Sequence, residues 1–138
     1  AVFAIFPIDG EMRPKIDMAR AALGAARDAI GRVAKRNQAT AGRGISAVDF
    51  GISLHYGQVT YGNIGTDRRL NFSVIGPAAN EVVRLEGFCK SLRVPVIASA
   101  KFKEICGQPL VHLGRHEAAG IKGGLEAYTL VDFAPGNS

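Results

Sequence analysis

The chain predicts an α+β fold in which helices pack against one face of a mainly antiparallel sheet. Three observations carry that expectation: apolar residues recur at steps of three and four between Ile16 and Val33, they alternate strictly between Val48 and Tyr56, and the segments follow one another as βαββαβαββ with mixed connections. At 138 residues, 47% apolar and 21% charged, the chain has the size and composition of one packed domain, not of a disordered or fibrous protein.

Ala1 to Phe6 is short, apolar and β-prone, and Pro7 with Asp9 and Gly10 stops it, so it reads as a buried strand. From Pro14, a stripe of Ile16, Ala19, Leu23, Ala26, Ile30 and Val33 predicts an amphipathic helix, with Lys15, Arg20, Arg27, Arg32 and Lys35 off the stripe. Gly24 and Gly31 each weaken that helix by about 1 kcal/mol relative to Ala, so packing must hold it. Asn37 to Gly44 is polar and glycine-rich and reads as a loop. Val48, Phe50, Ile52, Leu54 and Tyr56 then alternate as a half-buried strand does, and at Gly57 the parity shifts as a bulge requires. The turn residues Gly62 to Asp67 precede a second strand, Leu70 to Ile75, and together these predict a long antiparallel hairpin.

Gly76 and Pro77 open a second helix, with Pro at the first helical position and Val82, Leu85, Cys89 and Leu92 as its apolar stripe. A strand at Val94 to Ala98, a short helix at Lys101 to Cys106, and strands at Leu110 to Leu113 and Leu125 to Val131 complete the order. The domain is expected over residues 1–133, with 134–138 as a frayed tail.

A formal charge of +5 and a pI near 9.6 suit an anionic partner or, equally, a solvated basic face. Cys89 and Cys106 lie in helical stretches without zinc-ligand spacing, which predicts buried free thiols in a reducing cytoplasm. No apolar run approaches the roughly 18 residues of a membrane span. The chain opens without Met and in mid-strand, from which a piece of a longer polypeptide is expected.

Asn80 and Arg84 stand one helical turn apart, about 160 degrees from the centre of the apolar stripe at 100 degrees per residue, and so project away from the sheet. Alone, such a pair reads as a solvated face, with Glu81 able to pair with Arg84 at i, i+3. The surrounding string adds to that reading. Gly51, Ile52, His55, Gly57, Val59, Gly62 to Gly65, Arg68 to Leu70, Phe72 to Gly76, Asn80 and Arg84 to Glu86 resemble the core motif of the class III nucleotidyl cyclases, bacterial type. In weaker form the likeness covers the whole chain: AVFAIFP resembles the strand after the family's Gly-Asp pair, and LGRHEAAGIKGGLEAYTLV its closing hairpin.

The resemblance implies a ferredoxin-like cyclase sandwich lacking the family's first strand and the helices that follow it. It implies that Asn80 and Arg84 stabilise the transition state, where a fixed guanidinium and an amide donor meet charge building on phosphate oxygens. Ser73 stands where relatives read the purine. Its hydroxyl serves adenine or guanine, and an ordinary strand serine remains the alternative. Lys122 fits the family's phosphate-binding position only after a register shift, with a solvated loop lysine as the alternative. His55 reads as structural, and His112 and His116 have no assigned role.

Two Mg or Mn ions are also implied, held in the family by two aspartates. No Asp of this chain matches either motif, and the expected positions fall before Ala1. The leading expectation is cyclisation of ATP to 3',5'-cyclic AMP and pyrophosphate by a homodimer. This chain would supply the Asn/Arg half of the site, and an upstream sensor or regulatory domain would control it. A catalytically inactive nucleotide-binding or regulatory domain is the alternative. Nucleic acid is not expected as a partner, because no RNP-type aromatic string is present. The expected location is cytoplasmic, with any membrane tether in sequence preceding this chain.

Overall fold

A computed structural model describes residues 3–8, 12–66 and 69–134, and side chains among these except at 12, 13, 60–66 and 69–75. The first helix, α1 (Met12–Thr40), buries Ala19, Leu23 and Ala26, the centre of the predicted stripe. It runs on through Asn37 to Thr40, the first half of the stretch read as a loop, while 41–44 form turns as expected. Asn37 is accommodated because its side chain accepts from the Val48 N–H at 2.9 Å and donates to the Val48 carbonyl at 3.0 Å. The Thr40 hydroxyl donates back to the Arg36 carbonyl at 3.0 Å. A Cβ at Gly24 or Gly31 would meet nothing within 4 Å, so these glycines weaken the helix without serving a contact.

The sheet has the order β1-β4-β6-β5: β1 (Ile52–Leu54) runs parallel to β4 (Val96–Ser99), while β6 (Ile121–Leu130) is antiparallel to both β4 and β5 (Leu110–Ala118). Between β1 and β4 in sequence lie a separate antiparallel hairpin, β2 (Thr60–Thr66) with β3 (Arg69–Ile75), then α2 (Pro77–Glu86) and α3 (Phe88–Leu92). The short α4 (Ala100–Ile105) follows β4 and is capped by Ser99, whose Oγ accepts from the Phe102 N–H.

The mixed, mainly antiparallel α+β character is as expected, but helices cover both faces of the sheet rather than one. In β4 all four residues are buried. Val96 and Ala98 join Ala19, Leu23, Phe102 and Ile105 on the α1 and α4 side, and Ile97 joins Leu85, Cys89 and Ala127 on the α2 side. A strand buried on both faces reads as a continuous apolar run, as VPVIAS does, and carries no alternation that would reveal one-sided burial.

Four further boundaries differ. Residues 3–8 form no strand, and the start of the expected Ala1–Phe6 strand lies outside the described residues; no described strand flanks them, and an extended segment needs a ladder partner to become sheet. The expected Val48–Tyr56 strand contracts to Ile52–Leu54, because β4 offers it only Val96 to Ala98, and Val48 and Phe50 are left exposed. Gly62 to Gly65 sit inside β2, from Gly62 opposite Ser73 to Gly65 opposite Leu70, so the hairpin joins β2 to β3 and does not involve β1. The closing strands are longer than expected, turning at Ala119 and Gly120, with Gly123 and Gly124 inside β6 at positive φ. Of the expected tail, only Ala134 is among the described residues.

Candidate functional site

The outer face of α2 is positioned by alternate residues of the segment that contains β1. A Cβ on Gly51 would lie 2.7 Å from Cys89 Cβ, and one on Gly57 would lie 2.7 Å from Ala78 Cβ, so both positions exclude any larger residue. Between them the Ser53 hydroxyl donates to the Val82 carbonyl at 2.7 Å, and His55 Nε2 lies 2.8 Å from Glu81 Oε2. Residues 51, 53, 55 and 57 thus meet 89, 82, 81 and 78 in turn. The other parity, Ile52, Leu54 and Tyr56, packs toward α1. The glycines, serine and histidine of the motif therefore form a docking strip that fixes the helix axially and in rotation.

So held, α2 buries Ala78, Ala79 and Leu85 and leaves Asn80 and Arg84 exposed. Neither side chain makes a hydrogen bond or ion pair to the described residues. Glu81, which the i, i+3 spacing could have given to Arg84, turns instead toward His55 under the helix. The helix carries its predicted Pro at the first position, and it ends at Gly87, where the single predicted helix divides into α2 and α3.

Beneath Asn80 and Arg84 lies a polar cluster with no counterpart in the sequence reading. His55, with only 5% of its side chain exposed, places Nδ1 2.7 Å from Ser99 Oγ. Ser99 Oγ accepts the Phe102 N–H and has a proton to offer Nδ1; in that tautomer the ring proton sits on Nε2, the nitrogen nearer Glu81. Nε2 has no hydrogen bond of regular geometry among the described residues, so the 2.8 Å approach of Glu81 is an electrostatic contact outside the N–H direction. Burial holds the imidazole below its ordinary 6.5, the Glu81 carboxylate pulls it up, and the Lys101 ammonium pushes it down. A cleft of about 190 Å³ opens here, lined by His55, Glu81, Ser99 and Lys101 with Arg115 and Glu126 from the closing hairpin. His55 is thus structural in location, as expected, and tied to the helix that carries the candidate pair.

Ser73 lies in β3 opposite Gly62, and its side chain lies outside the described residues. Lys122 is exposed at the start of β6 and does not line the cleft. The hairpin cation that does line it is Arg115, whose guanidinium donates to Glu126 at 3.0 Å and to the Gly123 carbonyl at 3.0 Å. His112 also bonds Glu126, and these two partners, His112 first, hold the Glu126 carboxyl below its ordinary 4.5. Among the described residues no three His, Cys, Asp or Glu side chains converge as a metal site; Asp28 pairs with Arg32 and Asp132 with Arg27. The described residues therefore do not fit the two ions that the resemblance implies. Cys89 and Cys106 are free and buried, and burial pushes the Cys89 thiol up to about 11. Among the described residues, no helix is long and apolar enough to cross a membrane.

No protein-family model matches the chain. The guanylyl cyclase Cya2 superposes on 88% of it with a TM-score of 0.70 at 21% identity. The adenylyl cyclase CyaB from P. aeruginosa superposes on 92% with a TM-score of 0.63 at 20% identity. The chain shares the fold of these two nucleotidyl cyclases. An adenylate cyclase of Anabaena cylindrica adds local sequence likeness, 36% identical over 56 residues, or 41% of this chain. This cyclase-fold chain spans 61% and 63% of the two solved structures and 11% of the Anabaena protein.

Proposed function

We propose that the intact protein cyclises ATP to 3',5'-cyclic AMP and pyrophosphate as a homodimer, and that this chain supplies the Asn80 and Arg84 half of the site. The observation that carries the reading is the state of that pair: two polar side chains one turn apart, exposed, without described partners, on a helix whose inner face is held at Ala78, Glu81 and Val82 by the β1 segment, with a fourth contact at Cys89 of α3. A guanidinium that makes no ion pair with the described residues, on a helix held in place and beside an amide donor, suits the negative charge that builds on phosphate oxygens as the ribose hydroxyl attacks and pyrophosphate departs. Such donors act by being in place beforehand, and the docking strip supplies that preorganisation.

The two divalent ions would orient the hydroxyl and neutralise the triphosphate, and their ligands would lie outside the residues described here. Ser73 is proposed to face the base, and Lys122 to reach a phosphate only if the closing hairpin moves toward α2. The nucleotide is tested by supplying the intact protein with equal ATP and GTP. Mainly cyclic AMP is expected. Mainly cyclic GMP would reverse the base assignment, and no cyclic product from a folded, metal-supplied protein would favour the inactive regulatory domain.

A further inference from the structure

Glu81 lies three residues before Arg84 on the same helix, a spacing at which carboxylate and guanidinium ordinarily meet. Here they do not. Glu81 Oε2 is 2.8 Å from Nε2 of a nearly buried His55, whose other nitrogen is 2.7 Å from Ser99 Oγ, and Ser99 is fixed in turn as the cap of α4. The His55 ring is thus held from below by the end of β4 and presents its second nitrogen to one residue of α2. An imidazole with a proton on Nε2 attracts a carboxylate there, and Glu81, partly buried, lies 2.8 Å from that nitrogen under the helix. If it were released, it could swing to the outer face. There it would neutralise Arg84 and add a negative charge beside the place where the transferring phosphate must sit.

We propose that His55 is a positioning residue for Arg84, acting through Glu81: by holding that carboxylate against the sheet it keeps the guanidinium unpaired and available to the substrate. The inference rests on the proposed transition-state role of Arg84 and extends it to residues for which that reading has no use. Ser99 belongs to the same device, since its hydroxyl holds Nδ1 and so keeps the ring turned with Nε2 toward Glu81. Lys101 and Arg115, which line the same cleft, are the other cations that a freed Glu81 could meet, so the destination of the carboxylate must be tested and not only its release.

The test is rescue by a second substitution in the intact protein. His55→Ala should lower kcat about tenfold with little change in KM, the size of one misplaced charge in a solvated cleft. His55→Gln, which keeps a polar N–H group near Glu81, should remain faster than His55→Ala. The double variant His55→Ala with Glu81→Gln should return to the rate of Glu81→Gln alone, because no carboxylate is left to neutralise Arg84. A merely structural histidine predicts the reverse: the double variant would be as slow as His55→Ala or slower, and that result overturns the proposal even if His55→Ala is partly unfolded. Arg84→Ala measured alongside separates the two layers. Lost turnover there with no rescue in the double variant overturns the positioning role alone, whereas unchanged turnover in Arg84→Ala overturns the transition-state reading and this inference with it.

Discussion

The outer face of α2 and the β5–β6 hairpin both present charged side chains to solvent, yet they differ in how those charges are used. On the hairpin, Arg115 and His112 converge on Glu126, and Arg115 also binds the Gly123 carbonyl, so that its charge is spent on holding an irregular pair of strands together. On α2 the acid spaced i, i+3 from Arg84 is taken by His55, and the guanidinium is left without a described partner. An exposed cation already committed to its own backbone stabilises the fold, whereas one kept from its nearest acid is available to a ligand. The contrast lies in the neighbours, not in the residue type.

The largest expected effect follows from that contrast. Arg84→Ala in the intact protein should lower kcat by about 100-fold to 1000-fold while KM moves far less, because the interaction strengthens as charge develops. A raised KM at equal kcat would make Arg84 a ground-state binder and erase the distinction between the two surfaces. Lys122→Ala should cost less than about threefold in kcat, as expected of a lysine outside the cleft. A loss comparable to that of Arg84→Ala would show that the hairpin closes over the site in the working enzyme.

The smallest effect is on stability. Burial holds the folded-state pKa of His55 below 6.5, so the unfolded chain binds the proton more readily. The stability that the neutral ring confers is present above 6.5 and is lost as pH falls through the folded value. The melting temperature should therefore fall from pH 7.5 to pH 5.5, less so in His55→Gln. An equal fall in both proteins would remove His55 as the cause.

How much of this was legible beforehand varies by residue. Ala19, Leu23 and Ala26 declare α1 by spacing alone, because a helix against one layer keeps its period. Asn80 and Arg84 are outward by the same arithmetic, and the motif around them singles them out. The role of the motif's other letters was hidden. Gly51, Ser53, His55 and Gly57 read as strand residues of one parity, but that each opposes a particular residue of α2 or α3 depends on a contact across some thirty residues of sequence. The direction of Glu81 was equally undecidable, since i, i+3 spacing offers it Arg84 and only the fold offers it His55. Val48 and Phe50 misled because alternation records a chain's capacity to pair, and here β4 is too short to pair with them.

The central claim is that this chain carries the transition-state half of a site completed by other residues. The most direct test mixes the 138-residue chain with an intact protein bearing Arg84→Ala, in the presence of ATP and millimolar Mg or Mn. Each alone should make little or no cyclic AMP, the first because no described residues form a metal site and the second because it lacks the guanidinium, while the mixture should recover activity. Turnover by the 138-residue chain alone, or a mixture that associates and stays inactive, would contradict the account.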